Sequence, residues 1–351
     1  MTRLGLILSA TALLVSLAIH PARSQQVDFP KDKQLTMVIG YAPGGGTDII
    51  GRAIAASIVR YLPGNPKIVV SNMPGAEGTT AGNYIALQAP ADGTMMLMGA
   101  ATMADPIYYR RPESHFNPTN FRVIGGASRG GTALFISKAA RKRLTDKTQP
   151  PVIVGTLGGV PRAGNQVAAW GARLLGWNIK WVVGYPGTSE IIGALDRGEI
   201  DMTSTTVLSQ IDRLIKSGKF DIVSQSGSLK GGKFVSYARY GDAPLFSDLI
   251  KGKLNDPLAA QAFAYWSAFN SIEEWMSLPP NTPQPIVDIY RTAYGKMIED
   301  PDFLALAQKI GDLTLRSHGD VEFILGTLDK TTPQATSYIT TMLRSQGLQV
   351  D

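Results

Sequence analysis

The sequence predicts an α/β protein built from two units, each with a parallel-rich sheet flanked by helices. The first observation is that short apolar runs alternate with amphipathic, helix-like segments along most of the chain. The second is that loops containing glycine and proline separate these segments. Strand, loop and helix in series require right-handed crossovers between parallel strands, which is why this pattern predicts the class.

The first unit, before about residue 125, is expected to contain three strands and two helices. The strands are predicted at 35–41, 67–72 and 94–100, and the helices at 48–62 and 79–89. The first run, LTMVIGY, is almost continuously apolar, which is typical of a strand buried on both faces. In the first helix apolar residues recur every three or four positions, which indicates one buried face.

The second unit repeats the pattern. Strands are predicted at 131–137, 152–156, 179–185, 200–203 and 220–225, and helices at 163–175, 189–197 and 208–217. The final third is predicted to be helical, most clearly at 284–298 and 302–310. We divide the chain into a discontinuous first domain, 25–125 plus 237–351, and a second domain, 126–236, with a ligand cleft between them.

The N-terminal segment 1–24 has the pattern of a signal peptide. Arg3 precedes an apolar run at 4–19, and the triplet 22–24 has small residues at its first and third positions. Retention of the segment as a membrane anchor is the alternative. We expect an exported, soluble, periplasmic protein, and the absence of cysteine excludes a lipid anchor on an N-terminal cysteine.

Composition excludes several classes of function. Without cysteine the chain has no disulfide, thiolate metal site or cysteine nucleophile. The scattered histidines and acidic residues do not suggest a metal site, and no cofactor is expected. The formal net charge of +6 falls to +4 (32 basic and 28 acidic residues) without segment 1–24, a modest excess that indicates either small anionic ligands or nothing about the ligand. The basic run 138–144 lacks aromatic residues, so we interpret it as a solvated helix face rather than a nucleic-acid site.

Two glycine-containing loops carry the candidate binding chemistry. The triplet 44–46 follows the first strand and opens a helix, and the loop 75–80 follows the second strand. Ligands bind beyond the carboxyl ends of parallel strands, where unpaired helix amides attract anions. The P-loop pattern requires a lysine that is missing here, and Ile49 breaks the dinucleotide pattern. We therefore expect a carboxylate; the alternative is that both loops are only tight turns.

In chain order, five segments resemble the marker segments of the TctC/Bug family: YAPGGGTD (41–48), NMPGAEGTTAG (72–82), ADGTMML (91–97), GYPGTSEIIGALDRGEID (184–201) and LPPNTPQPIVDIYRTAYGKMIEDPDF (278–303). These are extracytoplasmic solute-binding proteins of tripartite tricarboxylate transporters. The resemblance implies a type II periplasmic-binding-protein fold and a small carboxylate ligand, such as a di- or tricarboxylate, an acidic amino acid or an aromatic acid. It also implies a monomer that meets membrane permease subunits transiently.

The resemblance further implies which residues face the ligand. In the first domain these are Tyr41, Gly44, Gly45, Gly46, Thr47, Asp48, Gly78, Thr79, Thr80, Ala101 and Thr102, and in the second domain Thr156, Arg162, Tyr185, Gly187 and Thr188. Arg162 departs from the family pattern, which has a hydroxyl residue at about this place. Two interpretations stay open: it pairs with a distal carboxylate of the ligand, or it points to solvent.

The segment 126–130 matches the G-x-S-x-G pattern of a hydrolase nucleophile, Ser128. That pattern needs a following helix, whereas 131–137 is predicted to be a strand, and neither His115 nor His318 has a recognisable catalytic setting. We interpret the segment as a crossover between domains and expect a binding protein, not an enzyme. A sensory module that reports the same ligand to a membrane kinase is the other alternative.

Overall fold

The computed structural model describes residues 29–350 except 130, 158–160, 162–163, 186, 206 and 312. The predicted signal peptide, 1–24, and Arg162 lie outside the described residues. The described part has two main sheets flanked by helices, of six and five strands, and one two-stranded hairpin. The predicted α/β class is therefore confirmed.

The strands of the described chain are, in order, β1 (Leu35–Ile39), β2 (Ile68–Asn72), β3 (Met95–Ala100), β4 (Arg122–Arg129), β5 (Ala133–Ser137), β6 (Val152–Gly155), β7 (Ile179–Val182), β8 (Met202–Thr205), β9 (Phe220–Gln225), β10 (Ser228–Lys230), β11 (Lys233–Val235), β12 (Glu274–Leu278) and β13 (Leu313–Ser317). The first sheet has the order β13-β4-β12-β3-β1-β2 and the second β7-β6-β8-β5-β9. In the first, β1 is parallel to β2 and β3, while β12 is antiparallel to β3 and β4. In the second, β6 is parallel to β7 and β8, while β5 is antiparallel to β8 and β9.

The helices are α1 (Gly46–Ile58), α2 (Thr79–Leu87), α3 (Ala101–Ala104), α4 (Pro106–Tyr109), α5 (Gly164–Leu175), α6 (Thr188–Arg197), α7 (Leu208–Ser217), α8 (Phe246–Leu249), α9 (Pro257–Phe269), α10 (Gln284–Met297), α11 (Pro301–Gly311), α12 (His318–Asp329) and α13 (Pro333–Arg344). All predicted helices are present, with ends displaced by a few residues at most. Among the described helices, none has the length and apolar character needed to cross a membrane.

The expectation that the final third is helical was wrong in two places. The strands β12 and β13 enter the first sheet, with β12 between β3 and β4 and β13 at its edge. Both strands are five residues long and lie between helices, so their local pattern is weak. Pairing with distant strands decides their structure. The buried strand β12 brings its first residue to the edge where β3 ends.

Aromatic residues join the second unit to the C-terminal helices. Trp170 of α5 packs edge-on against Phe263 of α9, with ring centroids 5.3 Å apart, and stacks on Tyr338 of α13 at 6.1 Å. Such ring pairs contribute about 1 kcal/mol each beyond the area they bury. Helices that follow the second unit in sequence therefore cover it as well as the first sheet, and the domain boundaries stay a prediction.

A buried arginine holds the region where the chain passes between the sheets. Arg316 of β13 is 2% exposed. Its Nη1 donates to the Leu229 carbonyl oxygen at 2.7 Å, and its Nη2 donates to Ser128 Oγ at 3.2 Å. These bonds connect β13 to β4 and β10 and add to the ladder between β13 and β4.

Candidate ligand-binding site

The carboxyl ends of three parallel strands meet at one edge of the first sheet. Ile39, the last residue of β1, lies beside Asn72 of β2 and Met98 of β3. Because β12 runs in the opposite direction, its first residue, Glu274, reaches the same edge and lies beside Ala100. The two glycine loops, the start of α3 and the start of β12 therefore surround one region, as the sequence predicted for the loops.

The glycine triplet forms the N-terminus of α1. The amides in the first turn of any helix lack intrahelical partners. Gly45, the N-cap residue of α1, has no side chain that could cap them. A Cβ atom at Gly46 would lie 2.4 Å from Nη2 of Arg129, so the guanidinium rests directly on the glycine backbone. The positive end of the helix and a cation are thus placed together.

Asp48 supports this loop from within. Its Oδ2 accepts the Gly44 N–H at 2.8 Å, Arg52 Nε donates to both carboxylate oxygens, and Asn72 Nδ2 donates to Oδ1 at 2.8 Å. The Arg52 bond, helped by Gly44 and Asn72 against the effect of burial, lowers the pKa of Asp48 to about 2. Asp48 was predicted to face the ligand, but its contacts assign it to holding Gly44 in place.

The second loop is tied to the first and to α3 through Tyr41. Its hydroxyl donates to the Glu77 carbonyl oxygen at 2.9 Å and lies 2.5 Å from Thr102 Oγ1. Burial raises the pKa of Tyr41 to about 12, although the Thr102 hydrogen bond opposes the rise, so Tyr41 stays a neutral phenol. A Cβ at Gly78 would lie 2.6 Å from Met103 Cγ, so this turn can pack against α3 only as glycine.

The turn before α2 has an uncommon backbone. Ala76 and Glu77 have φ values of 45° and 55°, in the left-handed region that costs a non-glycine residue on the order of 1 kcal/mol. The bond from Tyr41 to Glu77 helps to hold it there. Thr79 begins α2 and is buried, whereas Thr80 is exposed. The amide of Ala101 donates to the Glu273 carbonyl oxygen at 2.7 Å, which links α3 to β12.

The predicted residues of the second unit lie at the carboxyl edge of the second sheet. Thr156 is buried, and its amide donates to the Val182 carbonyl oxygen at 3.0 Å. Tyr185 is partly buried, and Gly187 and Thr188 form the start of α6. Arg162 cannot be placed, because it lies outside the described residues.

The two sheet edges adjoin through a short piece of chain. Arg129 ends β4 at the edge of the first sheet, and Ala133 begins β5 opposite Thr205, the last residue of β8. Four residues of extended chain span at most about 14 Å. The predicted residues of the two units therefore lie on neighbouring edges.

The structure places two charged residues at this edge that the sequence did not assign to it, Arg129 and Glu273. The Arg129 amide donates to Glu273 Oε2 at 2.9 Å, and Nη1 of the guanidinium lies 3.5 Å from the same oxygen. Arg129 appeared in the sequence only as part of the crossover segment. A charged residue at the last position of a strand, next to a domain crossover, is the signal that would have drawn attention to it.

Glu274 is the third residue that the sequence did not identify as part of this edge. It is 4% exposed, and its Oε1 accepts a long hydrogen bond of 3.4 Å from Thr47 Oγ1. Its other oxygen, Oε2, is buried and has no hydrogen-bond partner among the described residues. Burial, and then the charge of Glu273, raise the pKa of Glu274 to about 7, against the opposing effects of Arg129 and the Thr47 bond.

The hydrolase alternative has no support in the geometry. Ser128 lies within β4, its Oγ accepts from Arg316, and the next element is the strand β5 rather than a helix. The nucleophile pattern requires a sharp turn from strand to helix. Within the part of the chain that the structure describes, no group of three or more histidine or acidic side chains is placed to hold a metal ion.

Sequence comparisons point to one group of proteins. No family model matches the chain. Over 102 residues, 29% of the chain and 28% of the relative, it is 38% identical to the UPF0065 protein in the gbd 5′ region of Cupriavidus necator. Over 216 residues, 58% of the chain and 61% of the relative, it is 24% identical to the UPF0065 protein in the tcbD-tcbE intergenic region of Pseudomonas sp. strain P51. The chain thus matches less than two thirds of the length of either relative.

The structural comparison extends over nearly the whole chain. A TctC solute-binding protein from Polaromonas, solved without ligand, superposes with a TM-score of 0.64 at 16% identity, over 89% of this chain and 98% of that one. This chain has the TctC fold. The resemblance drawn from the marker segments is confirmed by this fold and by the similarity to UPF0065 proteins.

Proposed function

We propose that the protein is a periplasmic solute-binding protein that captures a small carboxylate and presents it to a membrane permease of the tripartite type. The observation that carries the proposal is the N-terminus of α1, with the guanidinium of Arg129 resting against Gly46. The fold of a TctC solute-binding protein supports the class of function. The similarity to UPF0065 proteins supports the same group.

The chemistry of the loop favours a carboxylate. The start of a helix carries about half a positive charge, and amides of the first turn are free to donate. The amide of Gly44 is already used by Asp48, which leaves Gly45, Gly46 and Thr47 as donors. A guanidinium adds a planar pair of donors that matches a carboxylate. One cation and a few amides suit a single carboxylate better than a phosphate, because no lysine follows the glycines.

The second unit would supply the other half of the site. Thr156, Tyr185, Gly187 and Thr188 lie at the adjoining edge, where they would contact the rest of the ligand. A ligand held by both edges stabilises the arrangement that brings them together, since it binds that state better than the separated one. Specificity beyond one carboxylate would then depend on these residues and on Arg162.

A ligand screen tests the proposal. The chain from residue 25 onward is unfolded in denaturant, dialysed and refolded, so that no ligand is carried over from the cell. Thermal unfolding is then followed with acetate, benzoate, glutamate, succinate and citrate. A compound present at 100 times its Kd adds about 2.7 kcal/mol of stability. A shift with one or more of these carboxylates is expected, and no shift with any of them in a well-folded protein would refute the proposal.

The place of binding is tested by Arg129→Gln. This change removes the cation beside Gly46, and we expect the Kd of the bound carboxylate to rise at least tenfold, in keeping with about 1.5–3 kcal/mol for a charge-assisted bond. Arg60→Gln is the matched control, because Arg60 pairs with Asp300 on another surface. Equal affinity of the Arg129 variant and the control would mean that the carboxylate binds elsewhere.

A further inference from the structure

Glu274 is a buried acid at the edge where an anion is proposed to bind. It is 4% exposed, its Oε2 has no partner within the described part of the chain, and its Oε1 is bonded only weakly, at 3.4 Å, to Thr47 in the first turn of α1. A buried carboxylate normally accepts several hydrogen bonds or pairs with a cation. This carboxyl group does neither, which is the pattern of a group that is stable as the neutral acid.

The groups around Glu274 come from four elements. Glu273 precedes it on the same segment, Arg129 approaches from β4, Thr47 from α1 and Tyr41 from the loop after β1. Arg129 is shared, because its amide and guanidinium are both directed to the Glu273 carboxylate. Tyr41 is neutral and bonded to the second glycine loop. Arg129 therefore balances a charge on Glu274 only in part, because burial and the charge of Glu273 outweigh its effect on the pKa of Glu274.

We propose that Glu274 is a positioning residue that makes carboxylate capture depend on a proton: the site accepts the anion while Glu274 is neutral and loses affinity as Glu274 ionises. The inference rests on the proposed function and assigns to the same site a sensitivity to pH. Thr47 connects the two, since its hydroxyl contacts Glu274 while its amide belongs to the first turn that would hold the ligand.

The physical reason is competition between two negative charges for the same positive end. An ionised Glu274 would lie directly behind the N-terminus of α1 and would offset the partial charge that attracts the ligand. Low exposure weakens solvent screening, so the repulsion persists at physiological salt. By linkage, a ligand that disfavours ionisation of Glu274 must also raise the pKa of Glu274 in the complex, and binding near neutral pH then takes up protons.

The size of the effect follows from the fraction of protein with Glu274 neutral. With complete coupling and half-ionisation near pH 7, that fraction falls about tenfold between pH 6 and pH 8, and the affinity falls with it. About half a proton is taken up per ligand bound at pH 7. Below pH 6 the affinity is flat, because Glu274 is already neutral.

The test is calorimetric titration of the full chain from residue 25, using benzoate, succinate and citrate as probes. Affinity is measured at pH 6, 7 and 8, and proton uptake at pH 7 from two buffers of different ionisation enthalpy. Glu274→Gln mimics the neutral acid, and we expect it to keep the wild-type affinity at pH 6 and to lose most of the decline toward pH 8. Its proton uptake on binding should be about half a proton smaller than that of the wild type. Because protons taken up or released by the probe contribute equally to both proteins, they cancel in this difference.

Two further variants keep the result interpretable. Glu274→Met also removes the titrating group, and its affinity is expected to be equally independent of pH. It shows whether the result for Glu274→Gln depends on the glutamine amide. Asp105→Asn changes another carboxyl group that is 4% exposed, has a raised pKa and is bonded to Tyr265, and it should keep the wild-type profile.

The outcomes separate the two proposals. If the wild type binds a probe with one affinity from pH 6 to pH 8, or if Glu274→Gln retains the wild-type decline, the inference is wrong while the proposed function stands. If no probe binds to the folded wild type at any pH, the proposed function itself is refuted and the inference with it.

Discussion

Replacing Glu274 with glutamine should make the folded protein more stable at alkaline pH. In the folded protein the carboxyl is buried, no described residue bonds to its Oε2, and burial raises its pKa from 4.5 to about 7. The folded state therefore keeps the proton to higher pH than the unfolded chain does, so that folding stability falls as the pH rises from about 4.5 to about 7. Glutamine cannot ionise, and the variant does not suffer this loss.

The magnitude follows from the pH interval. Each pH unit over which the folded and unfolded states differ by one proton is worth about 1.4 kcal/mol. Over the interval between the two pKa values, the free energy of unfolding of Glu274→Gln relative to wild type should rise by up to about 3 kcal/mol and then stay level above pH 8.

Urea denaturation at pH 5, 6, 7 and 8 and constant ionic strength measures this difference. The midpoint for the variant should move progressively above the wild-type midpoint as the pH rises. Glu113→Gln, on an exposed side chain, controls for the loss of one negative charge from the molecule. A difference between Glu274→Gln and wild type that is constant from pH 5 to pH 8 would show that Glu274 is not the buried, unpaired acid described here.

Two other changes test the supports of the site. Asp48→Asn should lower the free energy of unfolding by roughly 1–2 kcal/mol at pH 7, a figure already discounted for the exposure of Arg52. The loss should shrink below pH 4, because the low pKa of Asp48 stabilises the fold only while the group is ionised. Urea denaturation at pH 7 and pH 3 measures the loss, and an equal loss at both pH values would contradict this prediction. Arg316→Met should lower the free energy of unfolding by roughly 2–4 kcal/mol, because the Leu229 carbonyl oxygen and Ser128 Oγ both lose a buried donor. The control Arg60→Met, on the surface, should lower it by under about 0.5 kcal/mol. Equal midpoints for the two arginine variants would show that the crossover does not depend on Arg316.

The elements near the site were predictable where the evidence was local. The strands before both glycine loops, the helix after the triplet 44–46 and the turn around Gly78 each follow from apolar periodicity and from glycine at a loop. Parallel pairing then places these loops side by side, as observed for Tyr41, Gly78 and Thr102. Local sequence could supply this much because each step depends on residues close together in the chain.

What escaped prediction depends on contacts between distant segments. The short strand β12 pairs with the distant strands β3 and β4, and this pairing buries Glu274, which its local sequence does not indicate. The ligand contact predicted for Asp48 came from the resemblance to the TctC/Bug family. Its actual partners, Arg52 and Asn72, come from the next turn and the next strand.

The most direct test of the central claim is a crystal structure of the refolded protein with the carboxylate that stabilises it most in the thermal screen. We expect carboxylate oxygens within hydrogen-bonding distance of the amides of Gly45, Gly46 or Thr47 and of the Arg129 guanidinium. A carboxylate bound away from α1, with the triplet 44–46 making no contact to it, would contradict the account.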